Sequence, residues 1–307
     1  MAAEKASKGW LAQLSEEMAG AVERAGQAVV AVDARRRLPA SGIVWPGSGV
    51  VVTADHVLER DEDITVTLAG GQKLAATLAG RDPGSDVAVL RLNGAAPGPA
   101  ELAPEGSVKV GHFALALGRP GTDLPVVSFG VISTLGGAWR TARGGAIEGY
   151  IRADLVLYPG FSGGPLVDIQ GRVVGLNSSH LAHGLGLAIP AHAVSGIVET
   201  LQTQGRIRRA YLGLTSQPVV LPEALRRKLG LKQETGLIVV GTEPGSPADK
   251  GGLLMGDVLV DLGGYPINDG EDLQAVLSAQ EVGKSITLSV VRGGEARDLT
   301  VTPGERK

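Results

Sequence analysis

From Gln27 to about Ser178 the chain is a succession of short β-branched runs, each bounded by glycine. Val29-Val30-Ala31-Val32, Gly49-Val50-Val51-Val52-Thr53 and Ile64-Thr65-Val66-Thr67 open the series. Ala69-Gly70-Gly71-Gln72 then turns the chain into Lys73-Leu74-Ala75-Ala76. Further runs follow at 86–92, 112–117, 126–133, 148–152, 165–168 and 172–176. Many short strands at this spacing read as an all-β barrel or sandwich pair. Glycine, at 46 of 307 residues against 3% aromatics, suits that reading, because glycine takes positive φ cheaply at tight turns. Pro97 to Pro104 is a Pro-containing crossover suited to joining two such barrels.

Helical periodicity appears on either side of this region. Leu11, Leu14, Met18, Val22 and Ala25 form an apolar stripe opposite Glu16, Glu17 and Arg24, which predicts an amphipathic helix from about Ser7 to Gly26. It either packs on the body of the protein or makes a subunit contact through Trp10 and Leu14. Val194, Ile197, Val198 and Leu201 predict a second helix after Pro190, ending near Gly205. The remainder mixes strands at 213–217, 237–241, 257–262, 285–292 and 297–302 with two helices, one capped by Ser246 and one over 271–280. That is a small, separate α+β domain. Three regions result: an N-terminal helix (1–26), a β-rich domain (27–205) and the α+β domain (206–307).

The totals exclude several classes. A formal charge of -3 without a basic stripe gives nucleic acid no footprint. The absence of cysteine removes disulfides, thiolate nucleophiles and Cys-ligated metals. Charged residues interrupt the N-terminus before any apolar run reaches signal-peptide length, and no segment approaches a membrane span. As written, the sequence implies a cytoplasmic protein, or an extracytoplasmic one if a leader has been removed.

Chemistry concentrates at Gly160-Phe161-Ser162-Gly163-Gly164-Pro165. Glycines around one serine allow a tight turn whose N–H groups converge, a nest able to hold an oxyanion beside a nucleophilic oxygen. Taken alone, the same residues also fit a glycine-rich hairpin with an incidental serine. A serine needs a base, and His56 ends the apolar run Val51-Val52-Thr53, where a loop can aim it at a cleft. His112 and His192 are placed structurally, in a strand and a helix. His180 and His183 have His-x-x-His spacing but no further ligand near enough to complete a metal site. Asp86 opens the apolar Val87-Ala88-Val89-Leu90, a costly place for an acid without a partner, and is the candidate to orient His56. Asp82, in the preceding turn, reads as solvated. The order His, Asp, Ser is that of chymotrypsin-type barrels.

With these motifs in place, the sequence resembles the HtrA/Deg family of trypsin-like serine proteases from about Gln27 to Gly304. Thr53-Ala54-Asp55-His56-Val57, Ser85-Asp86-Val87-Ala88-Val89-Leu90 and Tyr150-Ile151-Arg152-Ala153-Asp154 through Leu166 resemble its histidine, aspartate and serine motifs, and the intervals also fit. The resemblance implies a mainly β fold, a chymotrypsin-like double β-barrel followed by a PDZ-like domain. It assigns His56 as base, Asp86 as orienter, Ser162 as nucleophile, and the Gly160 and Ser162 N–H groups as the oxyanion hole. It places Leu157 with Leu187 or Ile189 in an apolar pocket preferring small or medium aliphatic side chains. Tyr211-Leu212-Gly213-Leu214 resembles the carboxylate-binding loop of PDZ domains, with the 271–280 helix as the other groove wall.

The same resemblance implies an ATP-independent endopeptidase without metal or cofactor, acting on unfolded or misfolded polypeptide, with the PDZ-like domain binding peptide C-termini or regulating activity. It also implies a homotrimer. The rival reading is a non-catalytic, chaperone-like peptide-binding scaffold of the same fold. The family usually has Asn where this chain has Tyr158 and Phe161, and Asn-Asn where it has Ala54-Asp55. Phe161 is therefore expected either to hold the oxyanion loop in an inactive form or to pack against substrate. The segment from Arg35 to Pro46, between the first two expected strands, is too short for the long regulatory loop of some relatives.

Overall fold

The computed structural model describes residues 9–36, 38–121, 123–141, 145–181, 187–207 and 210–305. It divides into two compact units, Met1–Ile207 and Arg208–Lys307.

In the first unit, α1 (Trp10–Gly26) lays Ala21, Ala25, Met18 and Val22 on the β-rich core. Its start is bare, with Trp10 73% and Leu11 62% exposed. The expected residues before Gly9 lie outside the described ones. Six antiparallel strands then close a barrel: β1 (Val29–Asp33), β2 (Ala40–Val44), β3 (Val50–Thr53), β4 (Ile64–Thr67), β5 (Lys73–Asp82) and β6 (Val87–Leu92). They pair in the order β1-β2-β3-β6-β5-β4. The valine-rich strands pair tightly because branched side chains suit a pleated, buried surface.

β2 corrects the expectation that 35–46 only connects two strands. Ala40-Ser41-Gly42 has no β-branched residue to announce a strand, yet the barrel leaves no room for one. A Cβ on Gly42 would lie 2.9 Å from Val51 and 3.0 Å from Val32. β5 also runs well beyond Ala76, to Asp82.

The second barrel comprises β7 (Phe113–Gly118), β8 (Val126–Gly136), β9 (Tyr150–Asp154), β10 (Pro165–Val167), β11 (Val173–Ser178) and β12 (Leu187–Pro190), closed in the order β9-β12-β11-β10-β7-β8. The crossover touches both barrels: Ala100 N–H donates to Val44 O at 2.8 Å, and Ala103 N–H to Val173 O at 2.9 Å. α2 (Ala191–Gln204) buries Val194, Val198 and Leu201 in the same core as the first barrel. It stops where Gly205 turns left-handed and returns its N–H to Leu201 O.

In the second unit, β13 (Leu214–Val220), β14 (Thr235–Thr242), β15 (Val258–Leu262), β16 (Ile286–Arg292) and β17 (Glu295–Val301) form one antiparallel sheet in that order, and Tyr265–Pro266 pairs with β15. Three helices accompany it rather than the expected two: α3 (Glu223–Leu229), α4 (Pro247–Lys250) and α5 (Gly270–Ser278). α3 buries no residue fully, so its charged sequence carries no clear apolar stripe. Ser246 caps α4 and Asp269 caps α5, each through its side-chain oxygen. Leu273 and Leu277 of α5 are buried with Leu237, Val239, Leu288 and Val290.

Candidate active site

His56 sits in a one-turn 3-10 helix, Asp55–Val57, directly after β3. Its Nδ1 lies 2.8 Å from Asp86 Oδ2 and its backbone N–H donates to Asp86 Oδ1 at 2.9 Å. One carboxylate therefore fixes both the ring and the main chain that carries it. This bond holds the tautomer with the proton on Nδ1 and leaves Nε2 free to accept one.

Asp86 is not the first residue of the strand, as expected, but the last of the turn before β6, with φ at 60°. That left-handed conformation is tolerated by Asp and costs little, and it points the carboxylate at His56. The side chain is wholly buried, and Ser178 Oγ donates to Oδ2 at 2.6 Å. Asp82 is also buried, correcting the solvated reading. It accepts from Ser85 N–H at 2.9 Å and Gly84 N–H at 3.2 Å, which shapes the turn that presents Asp86.

The neighbouring acid has a different partner. Arg81 Nε meets Asp55 Oδ1 at 2.5 Å, and the same guanidinium donates to the Asp55 and Leu58 carbonyls at 3.3 Å. Burial pushes the Asp55 carboxyl above its ordinary range, against the downward pull of Arg81. The pair braces the turn that carries His56.

Ser162 lies on the loop between β9 and β10. Gly163 has φ at +86°, and a Cβ there would fall 2.2 Å from Ser41 O, so only glycine fits. Phe161 N–H donates to Tyr158 O, Gly163 N–H to Asn177 O and Gly164 N–H to Phe161 O. The N–H groups of Gly160 and Ser162 donate to no described residue, which leaves two unpaired donors beside the Ser162 hydroxyl. The Gly160 carbonyl is held away by Ser41 Oγ at 2.6 Å, while Ser41 Oγ accepts the Arg119 N–H at 2.8 Å. Ser41 N–H donates to Ser162 O at 3.3 Å, so the first barrel grips the loop of the second.

The Phe161 ring points into the protein rather than into the cleft. It is wholly buried in the second barrel with Ala114, Ala116, Ile132 and Leu166, and Tyr158 meets it edge-on at 5.5 Å.

The remaining expected residues separate. Leu157 packs in the Phe161 cluster with Ala188, whereas Ile189 is wholly buried in the cluster beneath α2. Alternation along β12 puts Leu187 and Ile189 on the face opposite Ala188. His112 and His192 stand away from the site, His183 lies outside the described residues, and His180 stacks on the His56 ring. Among the described residues no cluster is arranged to hold a metal ion. Tyr211-Leu212-Gly213 precedes β13 in the second unit. Its Leu212 and Gly213 carbonyls accept from Ala248 and Glu243 N–H, and α5 packs beside β13.

Ser178, Ser179 and Ser41 were not singled out from the sequence. The one available signal was the pair of hydroxyls following the apolar run Val173 to Leu176.

Comparison with known proteins agrees with this architecture. Residues 40–176 match the trypsin-like peptidase domain and residues 211–302 the PDZ domain. A Synechocystis protein named "Putative serine protease HhoA" is 32% identical over 276 residues, covering 85% of this chain and 69% of its own. The chain belongs to the HtrA family. Among HtrA relatives, a protein of Ectopseudomonas mendocina named "Probable periplasmic serine endoprotease DegP-like" is 35% identical over 86% of the chain. The chain spans 56% of that relative's length. The solved HtrA-type protease AlgW with a decapeptide is 28% identical, with TM-score 0.71, covering 94% of this chain and 99% of that one. A serine endoprotease from Yersinia pestis is 26% identical, with TM-score 0.74 and 94% and 98% covered.

Proposed function

We propose that this HtrA-family chain is a serine endopeptidase that hydrolyses unfolded polypeptide. The observation that carries the reading is the buried Asp86 holding Nδ1 of His56 at 2.8 Å, beside a serine loop with two unpaired N–H donors. In this reading Ser162 Oγ attacks the scissile carbonyl carbon and His56 Nε2 takes its proton. The oxyanion is received by the Gly160 and Ser162 N–H groups, His56 protonates the leaving amine, and a water that gives its proton to His56 then displaces the acyl group from Ser162, which takes that proton back. Asp86 stabilises the imidazolium without being protonated itself.

The PDZ-like unit binds peptide C-termini along β13, with Tyr211, Leu212, Gly213 and Leu214 forming the carboxylate loop and α5 the opposite wall. AlgW's structure with a decapeptide supports peptide recognition in this chain. The protease units assemble as a homotrimer, to which the exposed Trp10 and Leu11 offer apolar surface. No described helix is long and apolar enough to cross a membrane, and the periplasmic names of the relatives favour an extracytoplasmic setting over the cytoplasmic one implied by the bare sequence.

One observation favours the rival scaffold reading: Ser162 Oγ is hydrogen-bonded to Ser179 rather than to His56. Unfolded casein separates the two. Cleavage by the wild type that disappears in Ser162→Ala supports the peptidase, and binding without cleavage by either protein supports the scaffold.

A further inference from the structure

Three consecutive residues leaving β11 each touch one member of the site. Ser178 Oγ donates to Asp86 Oδ2 at 2.6 Å, Ser179 Oγ lies 2.9 Å from Ser162 Oγ, and the His180 ring stacks on His56 with centroids 5.2 Å and planes 22° apart. Ser179 grips Ser162 twice, because its N–H also donates to Ser162 Oγ at 3.2 Å. Ser162 Oγ makes no other hydrogen bond to a described residue, and His56 Nε2 makes none.

A hydroxyl has one proton to donate and two lone pairs to accept with. The Ser179 N–H occupies one lone pair, and the Oγ–Oγ contact occupies either the proton or the other lone pair. Attack on a carbonyl needs that proton directed at Nε2, which requires the Ser162 side chain to rotate between staggered wells and leave Ser179. We propose that Ser179 is a positioning residue that parks the Ser162 hydroxyl off His56 until substrate occupies the site. The proposal rests on the reading of Ser162 as nucleophile.

Ser179 takes no part in bond making. Once released, Ser162 Oγ bonds to the carbonyl carbon as its proton passes to His56 Nε2. That proton leaves with the amine when the C–N bond breaks. Ser178 and His180 hold the other two members, so the segment acts as one template with a separate contact for each.

The test is the second-order rate of labelling by a fluorophosphonate probe, measured with kcat and KM on a casein-derived peptide. Losing one neutral hydrogen bond from the parked free enzyme makes Ser179→Ala label about five times faster and raises kcat/KM similarly, through a lower KM with kcat unchanged. Ser179→Thr, which keeps the hydroxyl, behaves as wild type. Ser179→Val is its isostere without the hydroxyl and should follow the alanine variant, which guards against a folding defect in either one. Equal or slower labelling by both Ala and Val overturns the proposal while leaving Ser162 as nucleophile. Labelling that survives Ser162→Ala overturns the nucleophile reading and the proposal together.

Discussion

Ser41 Oγ, on the first barrel, donates to the Gly160 carbonyl of the second barrel's serine loop at 2.6 Å. The same oxygen accepts the Arg119 N–H, so a single wholly buried hydroxyl ties three segments. Ser41→Ala leaves the Gly160 carbonyl and the Arg119 N–H without this partner and frees the backbone torsion that aims the oxyanion donors. Loss of one oxyanion donor costs on the order of 10²-fold in rate, so loosening two is expected to lower kcat by about tenfold to a hundredfold. KM on a peptide substrate should change by about twofold at most, because the interaction matters chiefly in the transition state. An unchanged kcat would show that the loop holds itself.

Ser178→Ala removes the 2.6 Å bond to Asp86 Oδ2 while leaving both contacts from His56. Ser178 Oγ also accepts the His180 and Leu181 N–H groups at 3.2 and 3.3 Å. The expected result is a fall in kcat of about tenfold, equivalent to about 1.4 kcal/mol, together with a lower melting temperature. Ser178→Thr retains the hydroxyl and should recover most of the loss; kinetics on the two variants side by side decide it.

Much of this site was legible because its chemistry is carried by local patterns. Ser162 stands among glycines, His56 ends a valine run and Asp86 precedes another, so each stood out without knowledge of the fold. What escaped depends on contacts made across the chain. β2 is a strand because Gly42 fits between Val32 and Val51, and nothing within Ala40-Ser41-Gly42 states this. The burial of Asp82 is also invisible locally: the turn closes over both acids, and only Asp86, with its left-handed backbone, meets His56. Which way Ile189 faces is likewise set from outside its own strand, by α2, whose Val194 and Val198 share its cluster. The roles of Ser178 and Ser179 appear only when β11 is closed into the barrel beside Ser162.

Phe161→Ala opens a cavity in the second barrel's core, where the ring is wholly buried against Ala114, Ala116 and Leu166. A buried Phe→Ala change typically costs about 3–5 kcal/mol. Phe161→Asn, which installs the family's usual residue, is expected to destabilise as well, because its amide would enter an apolar cluster unpaired. Gly118→Ala tests the same packing from the other side, since its Cβ would lie 2.6 Å from the Phe161 ring. Thermal unfolding of the three variants should show losses in each; an unchanged melting temperature for Phe161→Asn would mean that the cluster can rearrange.

The second unit carries its own acid sensitivity. Burial raises Asp257, but the Arg292 guanidinium meets both its oxygens at 2.7 Å and Leu254 N–H donates at 2.8 Å, so the carboxyl sits below the ordinary carboxylate range. Asp272 is held low as well, by the Asn268 side chain and N–H. A carboxyl depressed in the fold contributes stability that is fully present above its unfolded value, about 3.9, and is lost as pH falls through the folded one. Between pH 6 and pH 3 the second unit should therefore lose stability, read as lower amide protection factors at Leu288 and Val290 in the intact chain, each corrected for the slower intrinsic exchange in acid. Asp257→Asn removes the titrating partner of Arg292, so it should weaken protection at pH 6 and flatten the dependence on acid. If the variant keeps the wild-type slope, the Asp257–Arg292 pair is not what acid dissolves.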